Sequence, residues 1–225
     1  MLEQLIPNVM VKIPKLIQSI LETFQMMGWS GSISFVLGLF FGVVLIVTRK
    51  EGIMECHPVY WVLDKIINIL RSIPFIILVP ATLFLSRAIM GTGIGVKGAI
   101  IPLIIGTVPF FSRQIELALA EVDGGLIEAA QAMGDSPLQI IFRVYLKESI
   151  PAIVRATTIT FISLIGLTAM AGVVGAGGLG DFAIRYGHQR SEPDVIWVTI
   201  LIILILVTIA QAIGEQKQGL NGEAR

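Results

Sequence analysis

Three uncharged apolar runs, residues 23–48, 156–180 and 195–214, constrain this chain more than any other feature. A bilayer core about 30 Å thick takes roughly 20 helical residues to cross. Inside lipid, each backbone N–H and C=O needs a partner from the protein itself, which leaves helices and closed barrels as the spanning forms. Runs this long read as helices, and Arg49-Lys50 stops the first of them. The composition agrees, with 55% hydrophobic and 14% charged residues, where soluble domains carry about 25% charged. Mean hydropathy is +0.85. The expected fold class is an all-α integral membrane protein.

Two shorter uncharged runs, 72–86 and 98–112, lie beside Arg71 and between Lys97 and Arg113. Long basic side chains near helix ends can reach the interface, so both count as spans. The reading is five transmembrane helices, at about 20–48, 60–86, 96–118, 150–175 and 194–214, with a loop at 119–149, all in one transmembrane domain over 1–225. Five spans put the termini on opposite sides. Lys and Arg favour the cytoplasmic side. With the N-terminus outside, the inner side collects Arg49, Lys50, Lys65, Arg71, Arg143, Lys147, Lys217 and Arg225. The outer side then holds Lys12, Lys15, Arg87, Lys97, Arg185 and Arg190. This small bias favours an inner 119–149 loop and a cytoplasmic C-terminus. Lys12, Lys15 and Glu22 interrupt the N-terminal apolar runs, unlike a signal peptide.

Pro74, Pro80, Pro102 and Pro109 fall inside these spans. Each removes a backbone donor and bends its helix, either as packing or to curve helices around a path. The fourth span carries Thr157, Thr158, Thr160, Ser163, Gly166, Thr168 and Gly172. Small residues let helices approach and hydroxyls bond across them, and a span this polar is also a candidate for lining a pathway. Gly38 and Gly42 form a G-x-x-x-G in the first span, read as packing.

Several chemistries are excluded. Cys56 is the only cysteine, so no intrachain disulfide forms, and His57 and His188 are the only histidines, with no carboxylate cluster beside either. A formal net charge of +0 leaves no basic footprint for nucleic acid. Gly93-x-Gly95-x-x-Gly98 and Gly175-x-Gly177-x-x-Gly180 match the dinucleotide spacing but lack the strand and βαβ context it requires, so they read as turns between spans. No G-x-x-x-x-G-K-[ST] and no H-E-x-x-H occurs. The chain is read as a non-enzyme with no cofactor of its own.

The pattern changes between 119 and 149, where Glu121, Asp123, Glu128, Asp135, Arg143, Lys147 and Glu148 break up shorter apolar groups. Asp123-Gly-Gly can open a helix that carries Leu126, Ile127, Ala130 and Met133 at helical spacing. Gly134 suits its end, where a left-handed residue is needed. Asp135-Ser136-Pro137 then restarts a helix with Pro137 in its first turn. From pattern alone this is a plain amphipathic connector or a docking surface.

Glu128-Ala129-Ala130-x-x-x-Gly134, followed by Val144-x-Leu146, resembles the loop motif of permease subunits of bacterial ATP-driven importers. In that family a proline usually follows the leucine, and Lys147 stands there instead. Arg71-Ser-Ile-Pro-Phe-Ile-Ile-Leu78, Ala129-Ala-Gln-Ala-Met-Gly134, Ala156-Thr-Thr-Ile-Thr160 and Gly175-Ala-Gly-Gly-Leu-Gly180 are together similar to the methionine branch, over roughly 20–215. The resemblance implies a homodimer in the bacterial inner membrane. Two ATP-binding subunits would carry the ATP, and an extracytoplasmic substrate-binding lipoprotein would deliver methionine (D- or L-). Leu126, Glu128, Ala129, Ala130, Met133 and Gly134 would form the ATPase-coupling helix. Met170, Ser163 and Thr160 would lie on the gate or pathway, and Gly175, Gly177, Gly178 and Gly180 would meet the binding protein. An importer for another amino acid or small solute, and a non-transporting membrane scaffold, remain the competing readings.

Overall fold

The structure is a computed structural model that describes residues 6–222, with side chains through residue 215. The described residues are helical and contain no strand. In chain order the helices are α1 (Pro7–Val11), α2 (Ile13–Thr48), α3 (His57–Ser72), α4 (Phe75–Met90), α5 (Gly95–Ala120), α6 (Gly124–Ala132) and α7 (Pro137–Ile140). A π-helical turn (Ile141–Tyr145) leads into α8 (Leu146–Glu148) and α9 (Ile150–Val173). Then come α10 (Gly178–Phe182), a second π-helical turn (Ala183–His188) and α11 (Pro193–Gly222). Helices α2, α5, α9 and α11 are each long and apolar enough to cross a membrane, and counting α3 with α4 as one broken span gives five.

The second span departs from the expected single helix over 60–86. Helix α3 ends at Ser72, and Pro74 stands extended (φ −57°, ψ 129°) as the residue before α4. A proline supplies no N–H and pushes the residue before it out of the helical region, so the chain breaks there. Pro80, by contrast, sits inside α4, and Pro102 and Pro109 sit inside α5, without ending either helix. Helix α2 also starts earlier than expected, at Ile13.

The chain divides into two compact units. One holds the described residues up to Ile33, then Ile73–Gly106 and Phe161–Gln211. Its main core joins Met26, Met27, Phe75, Leu78, Leu103 and Leu164. A smaller one joins Val9, Phe182 and Val195. Its N-terminal helix is tied down by polar contacts: the Asn8 backbone N–H and Nδ2 each donate to the Asp194 carboxylate at 3.0 Å. Lys12 pairs with Glu192.

The other unit holds Ser34–Ser72, Thr107–Thr160 and the residues from Ala212 onward. Ile46, Phe111, Ile115, Leu119, Ile140 and Tyr145 pack together at its centre. Lipid is as apolar as leucine, so helices in a bilayer are held by close contact and not by water exclusion. That is the role of the Gly38/Gly42 pair. A Cβ at Gly38 would fall 2.5 Å from the Phe111 ring, and one at Gly42 would fall 2.5 Å from Ile115. Packing was the expected role, and glycine is what lets α2 and α5 meet here.

A charged cluster that the sequence reading did not single out joins α3 to α5 within this unit. Arg113 donates to Asp64 and to Glu116, at 2.5 Å each, and to Asn68 at 3.3 Å. Tyr60 donates to Glu116 at 3.5 Å. An ionised side chain in a span is costly unless paired, so these groups solve one another's desolvation.

Candidate functional site

The loop between α5 and α9 folds as the residue types predict. Asp123 is extended (φ −60°, ψ 128°), and its carboxylate accepts from the Gly125 N–H at 2.6 Å, which caps α6. The far end closes on Gly134 at φ 84°, where only glycine sits without strain. The Gly134 N–H donates to the Gln131 carbonyl and the Asp135 N–H to the Ala130 carbonyl, so the last carbonyls of the helix are not orphaned. Ser136 and Gln139 then form a reciprocal capping box, with Pro137 at the first position of α7.

The structure divides the predicted coupling residues. Ala130 is buried in its own unit's core, with Ile127 packed against it. Leu126 and Met133 face outward, 47% and 78% exposed. Glu128, Ala129 and Gly134 are exposed as well. The free face of the helix therefore carries Leu126 and Met133 but not Ala130. The structure adds two residues that the sequence reading missed, Leu138 at 65% and Phe142 at 67% exposure. Their i, i+4 spacing just after Pro137 was the available signal. The π-helical turn accommodates one extra residue, a feature frequent at functional sites. It holds Ile141 and Tyr145 inward and leaves Phe142 outside. Burial pushes the Tyr145 phenol up, against a smaller opposing pull from Arg49.

At the base of the loop, Arg155 donates to Glu121 at 2.8 Å. Both side chains are well exposed, so the pair contributes little, about 0–1 kcal/mol. Beside it lies a cavity of about 320 Å³ lined in part by Asp123, Leu126, Glu148 and Ser149.

The pathway and binding-protein residues fare differently. Met170 is exposed, as are Gly166 and Val173, and Ser163 is half-buried on the same stripe of α9 by helical spacing. Thr160 is buried, and its hydroxyl donates to the Ala156 carbonyl at 2.8 Å, so it is committed to its own helix. Of the four glycines, Gly175 and Gly177 are half-buried, and Gly178 and Gly180 are buried. The Gly178 N–H donates to the Glu22 carboxylate at 2.8 Å, and the Leu179 N–H donates to the Thr23 hydroxyl at 2.9 Å. A Cβ at Gly180 would meet the Ala169 carbonyl oxygen at 2.0 Å. The Gly95 N–H donates to the Gly175 carbonyl at 3.3 Å, which joins the two glycine-rich turns of the sequence. Sequence reasoning missed Glu22. Its signal was a lone acid just ahead of an uncharged run.

The profile of the family described as the binding-protein-dependent transport system inner membrane component matches residues 34–215. The probable D-methionine transport system permease protein MetI of Vibrio cholerae is 47% identical over 194 residues, covering 86% of this chain and 86% of that one. The methionine import system permease protein MetP of Bacillus subtilis is 41% identical over 215 residues, covering 96% of each. Among solved structures, a chain of the MetNI methionine ABC transporter in inward-facing conformations superposes with a TM-score of 0.91 at 42% identity. That match covers 93% of this chain and 97% of the other.

Proposed function

Because the chain belongs to the family of binding-protein-dependent transport system inner membrane components, we propose that it forms the membrane pathway of an ATP-driven methionine importer. It is the translocation subunit, and ATP binding and hydrolysis belong to separate partner chains. One observation carries the mechanism: a capped helix in the loop presents Leu126 and Met133 outward, with Leu138 and Phe142 also exposed, while Ile127 and Ala130 root it in the core.

Those exposed side chains suit a groove on an ATPase subunit. A helix held by Asp123 at one end and by the Gly134 turn at the other moves as a body. Closing of an ATPase pair would therefore shift the attached spans, and an interface with two arrangements would alternate access between the sides. The loop lies on the cytoplasmic side in this reading, with the N-terminus outside and the C-terminus inside. Two copies of the chain flank the path, and an extracytoplasmic lipoprotein delivers substrate near the Gly175 turn. Met170 and Ser163 face the path, and Met170 offers a flexible, polarizable plug. Thr160 supports the same helix from its packed side.

The test is uptake of labelled methionine into vesicles containing this chain with its neighbouring ATPase and binding protein. Uptake that requires ATP and resists competition by leucine and glutamine supports the assignment. Assembly and ATP hydrolysis without methionine uptake keeps the importer class and discards the substrate. Failure to assemble with any ATPase returns the chain to a membrane scaffold. Gly134→Val places a β-branched residue at φ 84° and should weaken pull-down of the ATPase while membrane insertion persists. Unchanged pull-down removes the coupling role from this helix.

A further inference from the structure

An open groove of about 690 Å³ runs between α2, the end of α4 and the start of α5, all within one unit. Its length is apolar, with Trp29 and Ile33 on α2 and Ile100, Ile101 and Ile104 on α5. Gln25, Thr92 and Lys97 supply its polar atoms. Gln25 lies two turns before Ile33, and Lys97 lies two turns before Ile104. At 1.5 Å per residue the groove therefore runs about 10–12 Å from a polar end to an apolar end.

The charges around this groove are not balanced. Among the described residues, no acidic side chain lines it. The four acidic residues described in this unit are all engaged elsewhere: Glu22 with Gly178, Asp181 with Arg185, Glu192 with Lys12, and Asp194 with Asn8. Among the described residues, Lys97 is exposed and has no carboxylate partner. The polar end thus offers one uncompensated cation, Lys97, above an apolar channel whose Trp29 is 65% exposed.

We propose that this groove binds an anionic phospholipid, its acyl chain along Trp29 and the isoleucines and its phosphodiester at Lys97. A tryptophan suits the boundary between chain and headgroup, and each basic group near an anionic headgroup strengthens binding about fivefold. A zwitterionic lipid brings its own cation to the same end and loses that gain. The site rests on the membrane reading alone and stands whether or not methionine is the substrate.

Trp29 is a built-in reporter. The other two tryptophans, Trp61 and Trp197, are exposed and can be replaced by phenylalanine. The full chain with Trp61→Phe and Trp197→Phe is placed in lipid nanodiscs containing brominated phosphatidylglycerol or brominated phosphatidylcholine. The expected result is half-maximal quenching of Trp29 at about a fivefold lower fraction of phosphatidylglycerol. Lys97→Glu should erase the preference, and Lys97→Arg should keep it. Equal quenching by the two lipids overturns the proposal. So does an absence of quenching by either, which would mean that a second copy or another subunit covers the groove.

Discussion

Gly134 and Gly180 each have to be glycine, for opposite physical reasons. At Gly134 a Cβ would meet nothing within 4 Å, and the backbone at φ 84° is the whole demand. At Gly180 the backbone φ is ordinary and space is the demand, because a Cβ would land 2.0 Å from the Ala169 carbonyl oxygen. Gly178 combines both, at φ 78° with Met26 and Thr23 closing on it. The first turn belongs to a loop that pushes side chains outward. The second is folded into the unit that contains it and pinned by Glu22. A glycine motif does not by itself mark a flexible or exposed segment. The Gly175–Gly180 stretch is the more tightly held of the two, although it reads as an open turn in the sequence.

Substitutions should separate the two kinds of glycine. Gly180→Ala should be the most damaging, at about 3 kcal/mol or more, since the obstacle is backbone and cannot rotate away. Thermal denaturation followed by size-exclusion chromatography should show loss of folded protein, and a stable Gly180→Ala would undo the close-packing account. Glu22→Ala leaves the Gly178 N–H without its acceptor and should cost about 1–3 kcal/mol. Glu22→Gln retains an acceptor oxygen and should recover most of that, so equal losses in the two variants would point to charge and not to the hydrogen bond. Gly134→Ala should cost about 1–2 kcal/mol, the penalty of a left-handed residue. Gly134→Asn should cost less, and neither should melt the membrane helices, which circular dichroism will report. Asp123→Ala removes one cap and should cost about 1 kcal/mol, seen as faster amide exchange confined to α6.

Much of the loop was legible because local chemistry decides it. Asp123 at a cap, Gly134 at a helix end and Pro137 at a helix start each obey rules that act within four residues. The five spans were legible for a similar reason, since lipid makes apolar length sufficient. Less was legible where a distant partner decides. Four prolines in apolar runs look alike in sequence, yet only Pro74 interrupts a helix. Ala130 and Met133 look equally apolar, yet one is rooted in the core beside Ile127 and the other is 78% exposed. Thr160 and Ser163 both read as pathway residues, yet the structure makes the first buried and the second half-buried.

The sequence by itself determined that this is a bundle of membrane-crossing helices with one polar, capped loop, because hydropathy, caps and turns are local properties of the chain. The tertiary structure decided which face of that loop is free, and that the second span breaks at Pro74. It also decided that Glu22 reaches Gly178 across 156 positions and that Arg113 gathers Asp64 and Glu116. These depend on which surfaces meet, and in a bilayer that is settled by close packing and by the need to pair each polar group.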